Sequence, residues 1–323
     1  MNRAPRWAHH GCFLLLLFVP LCSATTVLED LAKESRDRGL SIASIDAGVL
    51  TARQLDSENG HSVPVLDMEY VYDIEPASGY VLGTIRPAPA DNARAMPSLP
   101  RLALFRVGVG QTALLQRPFA PRLAALSPHA ERLAVLTAER DRVTLQYGDL
   151  SWTSVHEVYS RSFVRDPEHP EEVAENFGWS PDSQSLVYSR DHSVYVFDIR
   201  NATSTFVAQG SDPAWSPDGR FVAYISPRHQ LILNDLSNHS ASVASGEMDV
   251  IGYPRWSPDS KFVLFTRWDR HKAVTNPYAY MVFHDATDIM AVRVADRQSA
   301  VVFDPGNGTD TRHFYWIETR AEK

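Results

Sequence analysis

Short apolar runs bounded by turn-forming residues recur along the chain, at 133–136, 186–188, 221–224 and 262–265. Runs this short, rich in β-branched and aromatic residues and separated by Pro, Asp, Ser and Gly, predict strands rather than helices. Three of them follow nearly the same five residues. One copy holds Trp179, Pro181 and Asp182, the next Trp215, Pro217, Asp218 and Gly219, and the third Trp256, Pro258 and Asp259. The tryptophans are 36 and 41 positions apart, a spacing that marks a repeat architecture.

The chemistry of one copy predicts a hairpin. Pro presets φ for the second position of a tight turn, Asp suits the third and Gly tolerates a left-handed exit. A further apolar run ends in Asp198 and Asp235, 19 and 20 positions after the respective tryptophans, and a fourth follows each. Four strands in about 40 residues, each sheet needing neighbours to cover its apolar side chains, predict a propeller blade. The repeat of Trp-Ser-Pro-Asp-Gly, apolar strand and Asp-terminated strand resembles the WD-like repeats of TolB-type propellers over 174–265, and is similar to those of prolyl-oligopeptidase-like and dipeptidyl-peptidase-like proteins. The resemblance implies an all-β TolB-like propeller.

Weaker copies extend the pattern. Ser127 and Pro128 follow Leu126, which stands at the tryptophan position, with Asp149 as the later aspartate. Residues 102–107 and 112–116 read as third and fourth strands of another blade, and 68–74 with 80–85 as parts of a still earlier one. Residues 303–317 read as a last hairpin or as a strand closing the ring. Six blades result, with five and seven left open. The domains expected are a leader at 1–24, an N-terminal extension or partial first blade at 25–60 and the propeller at 61–323. Within the extension, 27–38 reads as a short helix and 40–52 as a strand.

The leader has Arg3 and Arg6 before an apolar stretch of about ten residues, too short to span a bilayer comfortably, and small residues at 22–24. It predicts export to a periplasm or the exterior, ahead of a lipoprotein at Cys22 or an uncleaved anchor. Cys12 and Cys22 are the two cysteines, so a mature chain would have no disulfide, thiolate metal site or cysteine nucleophile. It would keep 29 basic and 39 acidic residues, a net charge of −10, which argues against nucleic acid and anionic membrane as partners.

Departures from the period locate candidate function. About 20 residues are inserted near 267–287 and about ten near 155–172, on rigid strands where long loops carry function. In an antiparallel blade both open on one face. The longer insertion holds His271, Tyr278, Tyr280, His284 and Asp285, the candidate ligand face, and the shorter holds Asp166, Glu168, His169, Glu171 and Glu172. Aromatic side chains among polar ones suit a protein or peptide ligand. No Gly-x-Ser-x-Gly, phosphate loop or His-Glu-x-x-His occurs. His271, His284, His313 and Asp285 match no metal-ligand spacing, and no cofactor is implied. The function expected is a non-catalytic exported scaffold. The alternatives are a lyase or hydrolase acting on an extracellular saccharide or peptide, and an accessory subunit of a separate peptidase.

Overall fold

In the computed structural model the described residues are 24–46, 49–55, 62–67, 70–75, 79–85, 101–106, 110–115, 121–139, 141–162, 176–245, 250–268, 287–303 and 314–318. They form one helix, α1 (Ala24–Arg38), and 24 strands in six four-stranded antiparallel sheets.

The first blade has the order β24-β1-β2-β3, from β24 (Phe314–Glu318), β1 (Leu40–Asp46), β2 (Val49–Gln54) and β3 (Ser62–Asp67). The second holds β4 (Tyr70–Glu75), β5 (Tyr80–Ile85), β6 (Arg101–Arg106) and β7 (Gly110–Leu114), and the third β8 (Leu123–Leu126), β9 (Arg132–Glu139), β10 (Arg142–Asp149) and β11 (Val155–Ser162). The fourth is β12 (Phe177–Trp179), β13 (Ser185–Arg190), β14 (Ser193–Asp198) and β15 (Thr203–Gln209). The fifth is β16 (Ser211–Trp215), β17 (Phe221–Ile225), β18 (Leu231–Asp235) and β19 (Ser240–Val243). The sixth is β20 (Val250–Trp256), β21 (Phe262–Trp268), β22 (Thr287–Arg293) and β23 (Ser299–Phe303). The first strands β4, β8, β12, β16 and β20 touch in succession and β24 joins β20 to β4, so the ring is closed by pairing the C-terminal strand with β1.

Three expectations change in detail, and one open alternative is decided. Strands β4 and β5 belong to the same blade as β6 and β7, not an earlier one. Residues 40–52 are a two-strand hairpin, because Asp46 pairs with Val49 and the chain reverses there. The C-terminal segment supplies the closing strand rather than a hairpin. Residues 155–162 of the shorter insertion are the fourth strand of the third blade. Residues 25–60 contribute α1 and then β1 and β2 of the first blade.

Packing between blades explains why the apolar runs are continuous. Phe221, Ala223 and Ile225 pack with Trp256, Val263 and Phe265 of the sixth blade, while Val222 and Tyr224 pack with Val187 and Val194 of the fourth. Alternate side chains face opposite neighbours, so both faces of the sheet are buried. Six buried clusters fill the six seams of the ring. At the seam between sixth and first blades, α1 adds Val27 and Leu31 to the cluster holding Phe262 and Trp316. Lys261–Glu34 at 2.5 Å, Arg38–Asp259 at 3.3 Å and Arg293–Asp30 pair the helix with the sixth blade.

Candidate ligand channel

The repeat residues build the turn that aims each first strand. In the three tryptophan copies the Ser hydroxyl, Ser180, Ser216 or Ser257, donates to Asp182, Asp218 or Asp259 at 2.6–2.7 Å. The same hydroxyls accept the main-chain N–H five residues on, at 2.8–2.9 Å. The fourth turn residue is left-handed: Ser183 has φ 57°, Gly219 76° and Ser260 59°. Asp149, Asp198 and Asp235 cap the turn from third to fourth strand, each accepting a main-chain N–H two to four residues later.

Tryptophan does more than fill a seam. Trp179 Nε1 donates to Ala125 O at 3.1 Å, Trp256 Nε1 to Ala214 O at 3.1 Å and Trp316 Nε1 to Arg255 O at 3.0 Å. Each bond joins a first strand to that of the preceding blade. Trp215 departs, donating at 3.3 Å to Gly219 in its own turn. The remaining seams are bridged by other groups. Tyr315 Oη donates to Tyr72 O at 3.0 Å, Leu126 N to Asp73 Oδ2 at 3.0 Å and Asn176 Nδ2 to Asp212 Oδ1 at 3.3 Å.

These last bonds place polar side chains on or beside the first strands, which touch in succession around the ring. Asp73 and Asp212 are half-buried. Loss of water holds the Asp73 carboxyl up at about 6, although the Arg255 guanidinium pulls it down. Burial likewise raises Asp212, against the bonds from Asn176 and Ser211 and the charge of Arg255. Arg255 lies over the Tyr315 ring, its Cζ 4.9 Å from the centroid, and its buried Nε has no hydrogen-bond partner among the described residues. Gly252 gives Asp212 its room: a Cβ there would sit 2.9 Å from Asp212 Oδ2. Arg255 of the sixth blade thus acts electrostatically on one carboxyl of the second blade and one of the fifth. Such a set can hold a polar or charged segment.

Asn176 and Asp212 stand at or just before the start of their first strands, the end at which the two insertions open. His271, Tyr278, Tyr280, His284 and Asp285 lie outside the described residues, as do Asp166, Glu168, His169, Glu171 and Glu172. The longer insertion is tied at its base by Arg267 and Asp288, paired at 2.5 Å. No group of three or more His, Cys, Asp and Glu that could hold a metal occurs among the described residues, and no helix among them is long and apolar enough to cross a membrane. Sequence reasoning missed Asp73, Asp212, Asn176 and Arg255. The signal available was alignment of the repeat: Asn176 and Asp212 each stand three positions before their tryptophan.

No protein-family model matches the chain, and no curated protein matches it in sequence. Solved structures do. TolB from Acinetobacter baumannii aligns with a TM-score of 0.58 at 11% identity, over 86% of this chain and 66% of that one. The putative TolB from Agrobacterium tumefaciens aligns with a TM-score of 0.54 at 15% identity, over 86% of this chain and 96% of that one. At these identities the likeness is one of fold: the chain is an all-β, six-bladed propeller of the kind seen in TolB.

Proposed function

We propose that the protein is an exported, non-catalytic propeller scaffold that holds a protein or peptide ligand at the channel mouth and the loops around it. The observation that carries this reading is the half-buried Asp73, Asp212 and Arg255 set, whose carboxyls are raised and whose Arg255 Nε is unmet. An Arg255 Nε without a partner among the described residues, beside carboxyls whose charge is disfavoured by burial, is a set that a ligand can complete. Each carboxyl already accepts a seam bond, which suits a recognition surface better than proton transfer. The leader at 1–24 supports a periplasmic or secreted location, and the acidic chain supports a partner other than nucleic acid.

Immobilised wild type and a version lacking 270–286 test the reading against the native envelope or secretome. A polypeptide retained by wild type and lost on deletion, with both proteins melting alike, supports it. Equal retention by the two proteins removes the insertion from the site.

A second reading has its own observation. A carboxyl held near 6 is suited to general acid catalysis at neutral pH, as in a lyase or hydrolase of an acidic saccharide. Turnover of acidic oligosaccharides by wild type, abolished in Asp73→Asn, would establish it in place of the scaffold.

A further inference from the structure

Away from the channel, the outer edge of the fifth blade combines three features that belong together. The first is a free strand edge. Ala244 N donates to Leu231 O at 2.8 Å, and Ser242 and Ser240 pair with Leu233 and Asp235. By antiparallel alternation the N–H and C=O groups of Ala241 and Val243 then turn away from β18, to the side where no strand follows among the described residues. The four residues Ser240–Val243 are exposed and uncharged, without the charge or proline that blunts an exposed edge.

The second feature is a cavity of about 310 Å³ beside that edge, lined by Tyr224, Ile232, Ala241 and Val243, with Ser242 and Arg228 among its polar lining. Val243 is 46% exposed. The third is positive charge on an acidic chain. Ser226, Pro227, Arg228 and His229 repeat the serine-centred turn between β17 and β18, with Ser226 Oγ accepting from Arg228 N and Gln230 N at 3.3 Å. Arginine stands where the three tryptophan turns carry aspartate, and among the described residues no carboxylate pairs with it. Arg297 reaches the same edge, its Nη2 donating to Ser242 Oγ at 3.1 Å.

We infer that β19 is a docking edge for an extended acidic segment of another protein, which adds a fifth strand to the blade. Its main chain bonds Ala241 and Val243, alternate apolar side chains enter the cavity, and its carboxylates meet Arg228 and Arg297. Main-chain bonds supply affinity in strand addition, while the pocket and charges supply selectivity.

The test is fluorescence anisotropy of full-length protein with fluorescein-labelled Thr-Val-Glu-Val-Glu-Val-Thr, against the same peptide with Lys in place of Glu. The acidic peptide is expected to bind saturably and at least about tenfold more tightly, the difference shrinking with salt. Arg228→Glu, in an exposed turn, should reverse the preference. Val243→Pro removes an outward N–H at an edge where proline is tolerated and should abolish binding. Equal binding of the two peptides, no binding of either, or acidic-peptide binding unchanged in Arg228→Glu would overturn the inference. Arg228→Glu alone decides if Val243→Pro does not fold.

Discussion

The indole of Trp316 donates to the main-chain oxygen of Arg255 across 3.0 Å, linking β24 to the sixth blade. The same strand pairs with β1, so this one bond sits where the two ends of the fold are locked together. Replacing Trp316 with Phe keeps an aromatic ring but leaves the Arg255 oxygen without its donor, at a cost of about 1–3 kcal/mol. Trp215→Phe should cost about 1 kcal/mol or less, because that indole bonds its own partly exposed turn. Urea unfolding of the two variants compares them, and an equal loss in both would contradict the role given to the seam bonds.

Ser183 is left-handed at φ 57°, and its buried hydroxyl has no hydrogen-bond partner among the described residues. Gly219 occupies the equivalent place in the next blade. Ser183→Gly should therefore stabilise the protein by about 1–2 kcal/mol through relief of backbone strain and of the unmet hydroxyl. Ser260→Gly should gain less, since Ser260 Oγ accepts the Asp218 N–H of the neighbouring blade at 3.0 Å. Thermal melts of both variants check the contrast.

The blades were legible in the sequence because each carries its own local chemistry. Trp179, Trp215 and Trp256 stand before turns that any reader of Pro and Asp can place, and the apolar runs follow at fixed distance. The channel was not legible because Asp73, Asp212 and Arg255 meet only once the ring has closed. Nothing local to Asp73 distinguishes it from a surface carboxylate. Trp215 shows the complementary limit: its motif is the most complete of the three, yet its indole makes no seam bond.

Asp73 gives the fold a particular pH dependence. Its folded value, about 6, lies above the ordinary 3.8, so the native state favours the protonated form. Its contribution is thus fully present below about 3.8 and is lost as pH rises through 6, amounting to about 3 kcal/mol of strain at pH 7.5. Asp73→Asn keeps an oxygen for Leu126 N and carries no charge. Its melting temperature should exceed that of wild type at pH 7.5 and approach it near pH 4. A variant no more stable than wild type at pH 7.5 would show that the carboxylate is not strained.

Leu31 of α1 is 1% exposed in the cluster at the closing seam. Leu31→Ala should cost about 2–5 kcal/mol, the usual penalty for a cavity in a packed core. Glu34→Gln breaks an ion pair whose lysine side chain is 56% exposed, and should change stability by less than about 1 kcal/mol. Denaturant midpoints separate packing from charge as the means by which the helix holds the ring.

The most direct test of the central claim compares immobilised wild type with the double variant Asp73→Asn, Asp212→Asn, using the same native extract and identifying retained polypeptides by mass spectrometry. Both proteins must first show cooperative melting. A ligand retained by wild type and lost from the folded double variant is the result predicted. Equal retention by both would contradict the claim that the channel carboxyls hold the ligand.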